Sequence, residues 1–268
     1  MKEVALITGA AGGIGFEFAK IAAAKGYDLA LIDIDEAGLA EKKAALESGT
    51  TKVDTLTLNL ADNEAAQNIF DWVNEKKLTI GILFNNAGFG NFGYFKETPW
   101  AKDEAMLKVH MVTTTHLTKL LLPDMMARGN GHILNNASVA AFMPGPLMST
   151  YHASKAYLLS FTQALANELK GTGLTATVLC PGMTKTGFAK ANGNEDPNIK
   201  FNIATADAVA QYAFEMMIRG KVVAVPGFFN KLSAFLPRLL SRNRVTTMVG
   251  NIQRKNHAKR KDGAQLAK

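Results

Sequence analysis

One cysteine stands among 268 residues, so no disulfide can form within the chain. Cys180 lies in the apolar run "TATVLC" and reads as a small core residue rather than a reactive thiol. That fits a reducing compartment, and a cytoplasmic location is expected. No stretch approaches about 18 uninterrupted apolar residues, so no membrane-spanning helix is expected. The opening "MKEVALITGAAGGIG" puts a charge before an apolar run, but the glycines and the polar "FEFAK" that follow suit a strand and a helix better than a signal peptide. Repeats, low-complexity tracts and interdomain linkers are missing too. Acid is scarce at one end only: from Lys231 onward ten Lys/Arg face Asp262 alone, a balance of +9 in a chain of net charge +7, which leaves −2 on the first 230 residues. The main body is thus near neutral, and "QRKNHAKRKDGAQLAK" reads as a solvated, partly disordered basic end. An anionic partner for that end, nucleic acid or membrane surface, is the alternative; for the chain as a whole nucleic acid is not expected.

What is there is a regular alternation. Strand-like runs read at "EVALIT", "DLALID", "KVDTLTL", "IGILFNN", "GHILNNA", "LTATVLC" and "KVVAV", with helical patterns at 13–25, 36–48, 62–76, 99–128, 149–170 and 205–219. Seven strands joined by crossover helices predict an α/β fold, a doubly wound seven-stranded parallel sheet whose ligand crevice lies beyond the strands' carboxyl ends. Residues 1–227 make the expected catalytic domain and 228–268 an extension, apolar and helical at first, then basic. In that extension Phe229, Leu232, Phe235, Leu236, Leu239 and Leu240 recur at helical spacing, and Pro237 is expected to break the segment into two short helices. Packing on the parent domain, a subunit contact, a cover over the substrate mouth and a peripheral membrane contact are all open to it.

After the first strand comes "TGAAGGIG", in which Gly9, Gly13 and Gly15 lead into a helix with Ile14 between them. Side chains at such positions would keep backbone N–H groups away from a pyrophosphate at the helix N-terminus. Asp33 ends the second strand, 18 residues past Gly15, where a carboxylate accepts hydrogen bonds from adenosine ribose hydroxyls. A 2′-phosphate there would meet an uncompensated charge, and neither Gly12 nor Ile34 relieves it. NAD(H) is therefore the expected cofactor, with NADP(H) as the alternative. Tyr151 and Lys155 in "STYHASKAY" share a helix face, and an ammonium beside a phenol favours the phenolate. Ser138, ending "GHILNNAS", offers a hydroxyl to a substrate carbonyl oxygen while Tyr151 supplies its proton.

These features, with "NNAG" at 85–88 and "PGMTKT" at 181–186, resemble the short-chain dehydrogenase/reductase family, which has the Rossmann fold, from Val4 to about Gly227. The resemblance implies Tyr151 as general acid/base, Lys155 as its activator and a ribose ligand, and Ser138 as stabiliser of the substrate oxygen. It also implies Asn86, Ala87 and Gly88 lining the cofactor, Pro181, Gly182, Thr184 and Thr186 closing around the nicotinamide and its phosphates, and no metal. Two positions depart from the family pattern. Asn59, ahead of Leu60 in "LTLNLAD", replaces the aspartate that holds adenine. His110 replaces the asparagine that props a water on the catalytic lysine, and reads equally as a core histidine or a proton relay. Met106, His110, Thr113 and Leu117 share a stripe expected to face the catalytic helix.

"ETPWAKDEAM" and the apolar C-terminal segment bear a weaker resemblance to hydroxysteroid dehydrogenases and reductases of acyl or lipid-like ketones, which implies a hydrophobic secondary alcohol or ketone. The loop at 187–203, carrying Phe188, Ile199 and Phe201 among polar residues, reads equally as a lid over such a ligand or as a generic mobile loop. The rival expectations are an NADP(H)-dependent acyl-type carbonyl reductase and a dinucleotide-binding regulatory or scaffold protein. A homodimer or homotetramer is expected through the helices at 99–128 and 149–170.

Overall fold

A computed structural model describes residues 2–187 and 203–266, with side chains as far as Ala258. Seven strands form one parallel sheet: β1 (Val4–Thr8), β2 (Asp28–Asp33), β3 (Val53–Thr57), β4 (Ile80–Asn85), β5 (Gly131–Asn136), β6 (Leu174–Leu179) and β9 (Val223–Ala224), in the order β3-β2-β1-β4-β5-β6-β9. Each expected strand is present, trimmed by a residue or more at its ends except β2. The central strands are aliphatic on both faces because both faces are covered, and every residue of β1 and β4 is buried. Two further residues, Thr184–Lys185 (β7), pair with Ala204–Thr205 (β8) beyond the sheet.

Helices α1 (Gly13–Ala24), α2 (Glu36–Leu46) and α7 (Ala206–Ile218) cover one face, where Phe18 stacks obliquely on Phe84 and Phe214 with ring centroids 4.5 and 5.6 Å away. Helices α3 (Ala65–Glu75), α5 (Thr114–Arg128) and α6 (Ser149–Glu168) cover the other, and α4 (Trp100–Leu107) packs on α6. Strand order reverses between β1 and β4, and the crevice opens there, past Thr8 and Asn85.

Between α4 and α5 the helix widens into a π-turn, Lys108–Thr113. Thr114 Oγ1 donates to the Val109 carbonyl five residues back, and Thr113 Oγ1 to the Leu60 carbonyl past β3, at 3.1 and 2.8 Å. A buried polar chain then sets the register of the two helices that carry the site. Asn85 donates to Thr118 of α5 and to Asn135, its partner on β5, and Asn135 donates to Thr162 of α6, at 2.9–3.2 Å. Inside a core such groups persist only when paired, so the chain fixes one arrangement of α5 against α6.

The C-terminal segment departs from expectation. Helix α8 (Phe228–Phe235) runs into a 3₁₀ turn holding Pro237, as foreseen, but α9 (Arg242–Leu266) continues through the stretch read as partly disordered. Its inner face is mixed: Val245 and Gly250 are buried, Gln253 contacts the Met148 sulfur, and the His257 ring packs on Phe92 and Tyr94. Among the described residues no helix is long and apolar enough to cross a membrane.

Candidate active site

The glycine loop is shaped by close approach. Gly9 and Gly13 have φ of +67° and +55°, and a Cβ on Gly15 would fall 2.2 Å from the Gly9 carbonyl oxygen. No side chain caps α1, no acid stands in its first turn, and Gly12 faces open space. Those are the properties of an anion cradle, and a dinucleotide pyrophosphate fits it. Ile14 is buried beneath the loop, and Thr186 lies against Gly13, which brings "PGMTKT" to the same cradle.

Asn86 holds this loop. Its Nδ2 donates to the Thr8 and Gly9 carbonyls and its Oδ1 accepts from Asn136 Nδ2, at 2.9–3.0 Å. The backbone N–H groups of Asn86 and Ala87 donate to Thr8 Oγ1. Asp33, at the tip of β2, accepts from the Ala11 N–H at 2.9 Å and the Asp35 N–H at 3.1 Å, so its carboxylate is oriented beside the cradle. Asn59 is exposed and turns on itself, donating to Asp62 and accepting from the Ala61 N–H. Leu60 is buried, and its carbonyl is the one Thr113 grips.

Ser138, Tyr151 and Lys155 converge beyond β5. Ser138 Oγ accepts from the Ala140 N–H at 3.1 Å, capping a 3₁₀ turn, and hydrogen-bonds Tyr151. The phenol is buried with Phe92, Met106, Ala140, Leu147 and Met148. Lys155 Nζ sits 5.7 Å from the centre of the Tyr151 ring and donates to the Asn136 carbonyl at 2.8 Å. The expectation that the ammonium lowers the phenol is not met in this state. Burial dominates both groups: it pushes Tyr151 up to about 12, with the Ser138 hydrogen bond opposing, and brings Lys155 down to about 7. Burial likewise raises the nearby Cys180 thiol to about 12, which suits an inert core cysteine.

His110 lies in the π-turn at the junction of these parts. Its Nε2 accepts from the Phe89 N–H at 3.3 Å. Its Nδ1 is 2.9 Å from Ser154 Oγ, whose hydrogen goes to the Tyr151 carbonyl. That assigns the proton to Nδ1. Burial, and then the Lys155 charge, hold the ring well below its ordinary range, so it is neutral. Gly88 is pressed between the two: a Cβ would fall 2.6 Å from His110 Nε2 and 3.4 Å from Lys155 Nζ. Met106, Thr113 and Leu117 of the foreseen stripe are buried with it.

Several partners escaped sequence reading: Asn136, Ser154, Phe89, and Asn230, which packs on Gly182. A signal for Asn136 existed, since "NNA" ends both β4 and β5, with Asn85 in register with Asn135 and Asn136 bonded to Asn86. The expected lid falls largely on 188–202, outside the described residues.

Comparison with known proteins agrees with this geometry. Ketoacyl reductase HetN of Nostoc sp. is 29% identical over 239 residues, spanning 89% of this chain and 83% of its own. Estradiol 17-beta-dehydrogenase 11 of Pongo abelii is 31% identical over 88% of this chain and 79% of its own. Among solved structures, a short-chain dehydrogenase from Sphingobium yanoikuyae in complex with NADPH superposes with a TM-score of 0.79 at 28% identity, covering 88% of this chain and 94% of that one. A short-chain dehydrogenase/reductase from Burkholderia phymatum in complex with NAD gives 0.75 at 27%, covering 84% and 88%. The family model for short chain dehydrogenases matches residues 3–197. With its cradle, its parallel sheet and this match, the chain belongs to the short-chain dehydrogenase/reductase family and is an NAD(P)-dependent oxidoreductase acting on carbonyl or alcohol groups.

Proposed function

We propose that the chain transfers a hydride between NAD(H) and a hydrophobic secondary alcohol or ketone, with Tyr151 as acid/base. The observation that carries this reading is the buried phenol of Tyr151, hydrogen-bonded to Ser138 and lodged in an apolar cluster beside the cradle. When bound, the nicotinamide supplies or accepts the hydride. Tyr151, raised to about 12, keeps its proton at neutral pH and can deliver it to a carbonyl oxygen held by Ser138. Lys155 is anchored on the Asn136 carbonyl within reach of the ring and of Gly88, in position to meet a ribose hydroxyl. Asn86, Ala87, Gly88, Pro181, Gly182, Thr184 and Thr186 belong to the cofactor's wall in this reading, and Asn59 and Leu60 to the adenine end.

His110 acts here as a positioning residue. One nitrogen fixes Phe89 after Gly88, and the other fixes Ser154 between Tyr151 and Lys155. A proton path through it would run by Ser154. Asp33 supports NAD(H), since its carboxylate is oriented toward the cradle with no cation bonded to it among the described residues. The cluster of Phe92, Met106, Leu147 and Met148 supports an apolar ketone, as do the names of the ketoacyl and estradiol relatives. The reading includes a catalytic domain at 1–227 with an extension at 228–268, cytoplasmic residence, and subunit pairing through the helices at 99–128 (α4 and α5) and 149–170 (α6).

Steady-state assays of steroid, 3-oxoacyl and aliphatic ketones with NADH and NADPH in parallel test the whole. Turnover of an apolar ketone with NADH preferred is expected. Strong preference for NADPH would overturn the role of Asp33, and turnover of small polar ketones alone would overturn the substrate class.

A further inference from the structure

Helix α8 is built inside out. It buries Asn230 and Ala234, one turn apart. Asn230 donates to the Pro226 carbonyl at 2.7 Å and packs so tightly on Gly182 that a Cβ there would lie 2.3 Å from its Oδ1. The large side chains point the other way: Phe228 is 74% exposed and Phe235 51%, with Phe229 and Leu232 beside them. Leu236, Leu239 (67%) and Leu240 continue the exposed series past the 3₁₀ turn, and Met248 and Ile252 extend it along α9. Half of the large apolar side chains exposed among the described residues thus fall within 228–252. A helix in water turns its apolar stripe to the core, and a patch of this kind marks a surface that something else covers.

The charges around it have one sign. No Asp or Glu occurs between Glu215 and Asp262, whereas Lys231, Arg238, Arg242, Arg244, Arg254 and Lys255 are all exposed. A second copy meeting this face across a two-fold axis would bring these cations against one another. An anionic bilayer answers both features: the acyl boundary takes the aromatic and leucine side chains to a depth of about 5–10 Å, and the lipid phosphates take the cations.

We propose that the α8–α9 face docks on the surface of an anionic bilayer and sets the substrate mouth against it. The position fits delivery of an apolar ketone. Helix α8 packs on the turn Val139–Phe142 that follows Ser138, and the inner side of α9 lies on Met148, Phe92 and Tyr94, of which Met148 and Phe92 share the apolar cluster of Tyr151. The delivery step rests on the functional reading above, whereas the docking does not.

The test is flotation of the full chain with vesicles of phosphatidylcholine alone or mixed with phosphatidylglycerol. Binding is expected to be more than about tenfold stronger to the mixed vesicles and to weaken with salt. Phe228→Ser with Phe235→Ser and Leu239→Ser should lower it more than about tenfold, and so should Arg238→Glu with Arg242→Glu, which leaves the apolar face intact. Circular dichroism and thermal melting should stay as in the wild type, because all five side chains are exposed. Equal binding to both vesicle types, or to neither, overturns the proposal. So does a wild-type oligomer that the serine variant reduces to monomers while wild-type protein ignores vesicles, since a second copy would then be the cover. Vesicle binding needs no turnover, so a Tyr151→Phe protein that floats but does not react separates failure of the chemistry from failure of the docking.

Discussion

The rim of the catalytic crevice and the C-terminal helix pair handle side chains in opposite ways. At the rim, polar groups go inward and are paired there: Asn85, Asn135, Thr118 and Thr162 form one buried chain, and Asn86 clamps the glycine loop to β5. In α8, the large apolar groups Phe228, Leu232 and Phe235 go outward and are exposed. The lesson is that the chain from Asn85 to Thr162 is paired within the protein, so single atoms matter in it, whereas the helix pair turns its large apolar side chains outward. The rim should respond sharply to single conservative changes, and the helix pair only to the sum of several.

The sharpest test of that contrast is Tyr151→Phe. Removing one oxygen should cost about 10³-fold in kcat, the range of general acid–base catalysis, while fluorescence titration with NADH gives an unchanged Kd. Near-normal turnover would erase the distinction between the two regions. Next comes Lys155→Met, read as stability in the absence of cofactor. The unfolded chain takes up the lysine proton near 10.5 and the folded chain only near 7, so wild-type stability falls as pH drops through that interval and no further below it. The variant lacks this slope. It should gain on the order of a few kcal/mol over wild type at pH 6 relative to pH 10.5, measured by urea unfolding at each pH. Parallel pH profiles would mean that Lys155 is solvated. The smallest effect belongs to His110. Alanine should lower kcat by about tenfold with less change in NADH affinity, and asparagine, which still donates and accepts hydrogen bonds, should retain much of the activity. Normal turnover by a stable His110→Ala protein would make the ring a packing residue only.

Strands were easy to read because each is a short aliphatic run bounded by turn residues, and the glycine loop because strand, glycines and helix follow one another directly. Ser138, Tyr151 and Lys155 could be paired from spacing, but their electrostatics could not. Whether Lys155 points at the phenol or at the Asn136 carbonyl depends on a strand brought beside it by the sheet, and burial then outweighs the charge. The π-turn left no local mark, since one of its ties is to Leu60, 53 residues away. Helix α9 was hidden for another reason: its apolar period, Val245, Met248, Val249 and Ile252, stops where the basic stretch begins, and from there the inner face uses Gln253 and His257.

That π-turn amounts to a phase correction. A wide turn spends one residue more than an α-helix needs to cover the same path, and each residue is worth about 100° of rotation. The stretch ahead of it, with Met106, and the stretch behind it, with Leu117 and Thr118, are therefore out of step by one residue, yet all three are buried. Deleting a single residue between Lys108 and Thr113 would let the helix run unbroken over the same path, with both flanks facing as before, and would remove the bulge that carries His110. His110 would then lose Phe89 or Ser154. The extra residue is thus spent on His110, which the bulge holds against Phe89 and Ser154 at once.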